Sequence, residues 1–271
     1  MKRYQLPIIL FVMLFSASCK QKAPVKPEGT APQFNNGLTV QEKAGGVMTP
    51  EIMWKFGRLG SFALSPDGST VLYTVTDIDL QSEARQTNIF KLATTGGDPV
   101  RLTSDGGSSP QWFNKGKSIA YINKGNLCTM NSDGSERKIV TGISDFEIFS
   151  ISPEGNKIYF TKRVKLDQTA NEKHNLPKAK VRIINDLMYR HWNYWSDFSY
   201  SHIFVASFNG NTVSDEKDIM QGQRFESPTA PNFDEGEIAW SPDGTFIAYT
   251  SKRMNGMADA RSTNTDIFLY E

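Results

Sequence analysis

Leu64-Ser65-Pro66-Asp67-Gly68, followed by Leu72-Tyr73-Thr74, is the phrase on which the reading of this 271-residue chain turns. It returns as Ile151-Ser152-Pro153-Glu154-Gly155 with Ile158-Tyr159-Phe160, and as Trp240-Ser241-Pro242-Asp243-Gly244 with Ala248-Tyr249-Thr250. A degenerate copy reads Trp112-Phe113-Asn114-Lys115-Gly116 with Ala120-Tyr121-Ile122. Each copy is an apolar strand, a tight turn and a second β-rich strand. Pro66 presets φ at the second turn position, Asp67 suits the third, and Gly68 supplies the freedom to leave the turn. Such a hairpin cannot bury both faces alone. Its repetition predicts a radial array of sheets, a β-propeller.

Working outward, each hairpin is followed by a further strand pair. After the first come Asn88-Ile89-Phe90-Lys91-Leu92 and Val100-Arg101-Leu102-Thr103, joined by Gly96-Gly97-Asp98-Pro99. After the degenerate copy come Asn126-Leu127-Cys128-Thr129-Met130 and Lys138-Ile139-Val140, joined by Ser132-Asp133-Gly134-Ser135. Four strands make one blade. The turn glycines Gly68, Gly116, Gly155 and Gly244 are spaced 48, 39 and 89 residues apart. Only one strand pair follows Gly155, in Ser201-His202-Ile203-Phe204-Val205-Ala206 and Glu216-Lys217-Asp218-Ile219-Met220, so the long interval reads as one blade swollen by an insertion at about 164–200. The last unit reaches a third strand, Asp266-Ile267-Phe268-Leu269-Tyr270-Glu271. The expected fold is therefore all-β, an incomplete, open propeller of about four four-stranded blades over 48–271, because closed rings need complete blades. The aromatics Trp112, Tyr121, Phe149, Tyr159, Trp240 and Tyr249 recur at matching places and are expected in the core.

The N-terminal residues read differently. Lys2 and Arg3 lead into an apolar run over 6–15, then Ser16-Ala17-Ser18-Cys19. The run is too short to span about 30 Å of hydrocarbon as a helix, and residues 1–19 have the layout of an export signal. The small residues ending in Cys19 resemble the lipobox of bacterial lipoproteins, with Ser16 where a Leu is usual. That resemblance implies lipid on Cys19, an exported protein that is periplasmic or membrane-anchored, and a membrane partner through the lipid. Residues 20–47, rich in Lys, Pro and Gly, are expected as a solvated tether. One short helix is predicted at Thr49-Pro50-Glu51-Ile52-Met53-Trp54-Lys55-Phe56, with Thr49 as N-cap and Pro50 at the first helical position.

Composition narrows the chemistry. Lys and Arg total 30 against 29 Asp and Glu, with no run of one sign, which argues against nucleic acid as a partner. No cofactor motif and no metal-ligand spacing is present. The strand-to-helix turn Gly-x-Ser-x-Gly that exposes a nucleophilic serine does not occur; Gly106-Gly107-Ser108-Ser109-Pro110 precedes a strand and lacks the second Gly. No catalytic residue is therefore assigned. Of the three histidines, His202 begins a strand and reads as structural, His174 as solvated loop, and His191 sits among aromatics. Cys128 reads as a small buried hydrophobe.

The entry Thr49-Pro50-Glu51-Ile52-Met53-Trp54-Lys55-Phe56-Gly57-Arg58, the Ser-Pro-Asp-Gly hairpins, the inserted Leu187-Met188-Tyr189-Arg190-His191-Trp192 and the strand Ser262-Thr263-Asn264-Thr265-Asp266-Ile267-Phe268 together resemble the N-terminal propeller of prolyl oligopeptidase-family serine peptidases. The branch they look like is that of exported dipeptidyl and acylaminoacyl peptidases. In that family the propeller caps an α/β-hydrolase domain and admits short peptides. The resemblance implies a substrate-gating portion whose partners are short peptides and a C-terminal hydrolase domain, the latter missing from these 271 residues. Tyr189, Arg190, His191, Trp192 and Trp195 are the candidates to face a peptide, since an insertion can project over the mouth of a propeller. A TolB-like periplasmic lipoprotein, using its propeller to bind protein or ligand, is the alternative that the shared hairpin leaves open.

Overall fold

A computed structural model describes residues 34, 37–185, 187 and 189–271, with the backbone alone of His191. The signal residues, Cys19 and residues 20–33, 35 and 36 of the expected tether lie outside the described residues. The first blade orders β1 (Arg58–Leu64), β2 (Thr70–Asp79), β3 (Ala84–Ala93) and β4 (Val100–Arg101) as an antiparallel meander. The second repeats it with β5 (Ser108–Phe113), β6 (Ser118–Asn123), β7 (Asn126–Asn131) and β8 (Lys138–Ile139). In the third, β9 (Phe146–Ile151) and β10 (Lys157–Lys165) are separated from the outer pair by the two-stranded hairpin β11 (Arg190–His191) and β12 (Tyr194–Trp195). The outer pair is β13 (Ser199–Phe208) and β14 (Val213–Asp218). The fourth sheet has three strands, β15 (Ile238–Trp240), β16 (Ile247–Ser251) and β17 (Asp266–Tyr270), with β17 at its edge.

Alternation along the strands distributes the core. Ile119 and Tyr121 on β6 pack with Leu72 and Ile89 of the first blade, while the intervening Ala120 joins Phe149, Ile158 and Phe160 of the third. On β10, Tyr159 points the other way, to Ile238, Ile247 and Tyr249 of the fourth. A middle blade is thus buried on both faces, which is why its strands read as unbroken apolar runs. Each fully buried side chain of this size contributes about 1.5–3 kcal/mol.

The expected core aromatics take this role, and the two tryptophans add a bond. Trp112 donates its indole N–H to the Ala63 carbonyl of the first blade at 3.1 Å, and Trp240 donates to Ser150 of the third at 3.3 Å. Ala63 and Ser150 occupy equivalent places in the repeat, so the same spoke joins blade one to two and three to four. The third blade carries Ile151 at that place and has no such donor. There Gln111 reaches across instead, donating to Phe149 O at 2.8 Å and accepting from Ile151 N at 3.2 Å.

The repeated turn has the predicted geometry. Gly68 N donates to Ser65 O at 2.9 Å, Gly155 N to Ser152 O at 2.8 Å and Gly244 N to Ser241 O at 2.9 Å. The degenerate copy lacks the proline and forms a different turn, with Asn114 and Lys115 both at positive φ. The Ser65 hydroxyl and Ser69 N–H hold the Asp67 carboxyl at a pKa of about 2, and Ser241 and Thr245 do the same for Asp243. Both values fall below the ordinary 3.8, so the stability these turns supply is present above that pH and is lost as pH falls toward about 2. The melting temperature of the parent chain is accordingly expected to fall more steeply between about pH 4 and about pH 2 than that of the double variant Asp67→Asn, Asp243→Asn. Parallel curves for the two proteins in a pH series of thermal melts would show that the turn carboxylates are not the source.

Helices are few and short. α2 (Pro50–Lys55) forms where it is predicted, with Thr49 Oγ1 accepting from Ile52 N. The stretch read as a solvated tether holds an additional helix, α1 (Val40–Gly45). Thr39 and Glu42 form a reciprocal capping box there, and Lys55 bridges Glu42 at 2.7 Å, tying α1 to α2. Two more short helices, α3 (Ala170–Lys173) and α4 (Gly256–Arg261), occupy the β10–β13 and β16–β17 connections. No helix among the described residues is long and apolar enough to cross a membrane.

Candidate functional site

The insertion leaves and rejoins the third blade on a single rung. Lys165, the last residue of β10, pairs with Ser199, the first of β13, so everything between them projects past one end of that ladder. Its root is held by charge. Arg224 grips Asp167 through two bonds of 2.7 and 2.8 Å, and the guanidinium keeps that carboxyl below the usual range. Arg163 donates to Glu226 at 2.7 Å and to Ser199 O at 2.6 Å, with its guanidinium 5.8 Å from the Phe233 ring. Burial pushes the Glu226 carboxyl above its ordinary pKa, against the pull of Arg163. The ascending limb is shaped by α3, where Thr169 and Glu172 form a capping box and Lys165 reaches Glu172 at 2.6 Å. The Asn171 side chain, which donates to Ala179 O, closes the turn that follows.

The tip is the hairpin of β11 and β12, in register as Arg190 with Trp195 and His191 with Tyr194. Trp192, in the connecting turn, has φ 45° and is 82% exposed. Ser196 N donates to Tyr189 O, extending the pairing by one bond. The rings of Tyr189 and Trp195 stack at 6.1 Å with 28° between planes. The Arg190 guanidinium lies 5.0 Å from the centre of the Trp195 ring, and that of Arg182 lies 4.4 Å from it. Arg190 Nε donates to Trp192 O at 2.6 Å, which fixes the side chain while leaving both terminal nitrogens to other acceptors. Leu187, Tyr189, Arg190 and Trp192 line a cavity of about 260 Å³ at this tip.

Four of the five candidate residues, Tyr189, Arg190, Trp192 and Trp195, are thus brought into one cluster by the hairpin. The side chain of His191 lies outside the described residues. Arg182 belongs to the cluster and was not among the candidates. It reaches Trp195 across a loop, and no periodicity announces a contact of that kind.

His202, His174 and Cys128 have the surroundings expected of them, although His202 lies inside β13 rather than at its start. His202 is fully buried, with Nδ1 2.8 Å from Asp218 Oδ2 and Nε2 2.8 Å from Gln223 O. His174 is exposed at the end of α3. Cys128 is buried, and burial raises its thiol pKa, which keeps it out of nucleophilic chemistry. Among the described residues no group of three or more His, Cys, Asp or Glu is placed to hold a metal ion. What the site offers is recognition chemistry: guanidinium forks, exposed aromatic faces and one half-buried carboxylate, that of Glu226.

No protein-family model matches the chain. It is 35% identical over 242 residues to the dipeptidyl-peptidase 5 of Porphyromonas endodontalis, an alignment covering 86% of this chain and 35% of that protein. To the dipeptidyl-peptidase 5 of Porphyromonas gingivalis it is 36% identical over 234 residues, covering 82% of this chain and 34% of that one. The chain therefore spans about a third of the length of these curated relatives. Among solved structures it is similar to the acylaminoacyl peptidase of Pyrococcus horikoshii, with a TM-score of 0.56 at 15% identity over 80% of this chain and 31% of that one, a likeness of fold.

Proposed function

The chain is a β-propeller of the dipeptidyl-peptidase and acylaminoacyl-peptidase branch of the prolyl oligopeptidase family, and from that premise we propose that it gates substrate entry in an exported serine exopeptidase acting on short peptides. The observation that carries the reading is the interrupted third blade. A blade needs only a tight turn between β10 and β13; here the turn is replaced by a braced arm ending in exposed Trp192, Tyr189 and Arg190. An arm of this kind narrows the passage to a reaction centre, so a short peptide enters and a folded protein does not. Its aromatic faces and guanidiniums orient what enters. We assign hydrolysis to a separate hydrolase domain, a reading supported by relatives of which this chain covers about a third and by a sequence without Gly-x-Ser-x-Gly. Export, and lipid on Cys19, complete the proposal.

The test uses the chain with its own N-terminus, produced in a bacterial host. The chain is expected in the membrane fraction, to bind labelled tri- to hexapeptides, and to leave dipeptidyl and acyl-amino-acid chromogenic substrates intact. Turnover that serine-directed inhibitors abolish would refute the division of labour. Failure to bind any short peptide would refute the gate, and cytosolic recovery with an uncleaved N-terminus would refute the export.

A further inference from the structure

Two guanidiniums converge on one indole at the tip of the inserted arm. Arg182 and Arg190 lie 4.4 and 5.0 Å from the Trp195 ring centre, and hence within about 10 Å of each other, one Debye length at about 0.1 M salt. Stacking on the indole face offers each cation a modest attraction, about 0.5–1 kcal/mol at an exposed site. Their mutual repulsion opposes it. The two arginines at the root of the arm each have a carboxylate, Arg163 with Glu226 and Arg224 with Asp167. Among the described residues no carboxylate pairs with Arg182 or Arg190.

Contact with the indole engages the charge of each guanidinium and takes up no conventional hydrogen-bond acceptor. Arg190 uses Nε on Trp192 O, which locks the plane and leaves its two terminal nitrogens as the remaining donors. A planar fork held in place is the geometry that takes a carboxylate through two parallel bonds. The cavity of about 260 Å³ lies on the same residue, between Leu187, Tyr189, Arg190 and Trp192, and presents apolar surface beside the fork. From the paired cations, the immobilised fork and the adjoining cavity we infer that Arg182, Arg190 and Trp195 form a carboxylate clamp. It seats the carboxylate of a short peptide, with an apolar neighbouring side chain entering the cavity. The inference rests on the peptide-gating reading for the identity of its ligand, and on geometry alone for the chemistry of the clamp.

Two sources supply that carboxylate, the C-terminus of the peptide and an acidic side chain, and the experiment separates them. The full chain is titrated calorimetrically at low salt with Leu-Ala-Leu as the free acid, with its C-terminal amide, with the N-acetylated amide of Leu-Asp-Leu, and with acetate. The free acid is expected to bind at least tenfold more tightly than its amide. Equal rescue by the aspartyl peptide would assign the clamp to any carboxylate; no rescue would assign it to the C-terminus. The double variant R182Q/R190Q should erase the preference for acid over amide. R190K, a point charge without a fork, should retain only part of it. Because the arm is exposed, the melting temperatures of these variants should match the parent's. Acid and amide binding alike, a preference that survives in R182Q/R190Q, or no binding by any probe would overturn the clamp. Arginine-dependent binding of acetate, with the tripeptide acid no tighter, would uphold the clamp and remove the peptide reading. Peptide binding indifferent to the carboxylate and to both arginines would do the reverse.

Discussion

Replacing His202 by alanine is expected to lower the melting temperature of the chain by about 10 °C, from a loss of about 3–5 kcal/mol spread over a domain of this size. The ring is fully buried on β13, and both its nitrogens face acceptors, the Asp218 carboxylate and the Gln223 carbonyl, each at 2.8 Å. The ring therefore bridges the Asp218 side chain to the backbone at Gln223, two groups 16 and 21 residues away in the chain. Deleting the ring takes a donor from two half-buried acceptors and opens a void at a fully buried position, each lost bond costing about 1–3 kcal/mol. The damage extends beyond these two bonds. Asp218 also accepts from Met220 N at 2.8 Å, and the fully buried Met220 is part of the core shared by the third and fourth blades. His202→Gln, which donates through one group, should recover part of the loss. A melt of the alanine variant within about 2 °C of the parent's would show that solvent or a neighbour replaces the ring, and the account of this bridge would fail.

How much of this was legible beforehand depends on how far apart the interacting residues lie in the chain. The Ser-Pro-Asp-Gly turns were readable because every group that makes them lies within five residues, Ser65 to Thr70 in the first. The same locality made α2 readable from Thr49 and Pro50. The capping box of α1 is equally local, Thr39 with Glu42, yet the surrounding Lys, Pro and Gly outweighed it; its stabilising partner, Lys55, is 13 residues away. The aromatic repeat announced burial but not the spokes of Trp112 and Trp240, which depend on carbonyls 49 and 90 residues away. At the arm, composition marked Tyr189 to Trp195 as unlike a blade, and the hairpin that gathers them is local. Its root was invisible. Arg163 meets Glu226 across 63 residues and Arg224 meets Asp167 across 57, and nothing in a single sequence pairs charges at such separations.

Gly142→Ala carries the second large effect, and its cause is an approach of backbone to backbone that no side chain can enter. Gly142 follows the second blade, at φ +79°, and a Cβ built there would sit 2.0 Å from Val213 O and 3.1 Å from Val213 C. The chain is drawn this close by hydrogen bonds on either side. Thr141 N donates to Asn211 O at 3.0 Å and Val213 N donates to Thr141 O at 2.8 Å, forming the parallel bridge of Thr141 with Thr212 that sews the second blade to the outer strand of the third. An alanine would incur the left-handed backbone penalty, about 1–2 kcal/mol, and a forced separation costing about 1–3 kcal/mol more. Because β14 is paired to β13 at Val213 and Ser214, beside a bulge, Val213 O cannot retreat without disturbing that end of the ladder. Gly68→Ala isolates the first of these costs, since Gly68 has φ +72° and nothing lies within 4 Å of where its methyl group would stand. Gly142→Ala is therefore expected to melt well below Gly68→Ala, by about 5 °C, and to show faster amide exchange at Thr141 and Val213, where the two blades are joined. If the two variants melt together, the contact at Val213 relaxes without loss, and the seam between the second and third blades is softer than its hydrogen bonds imply.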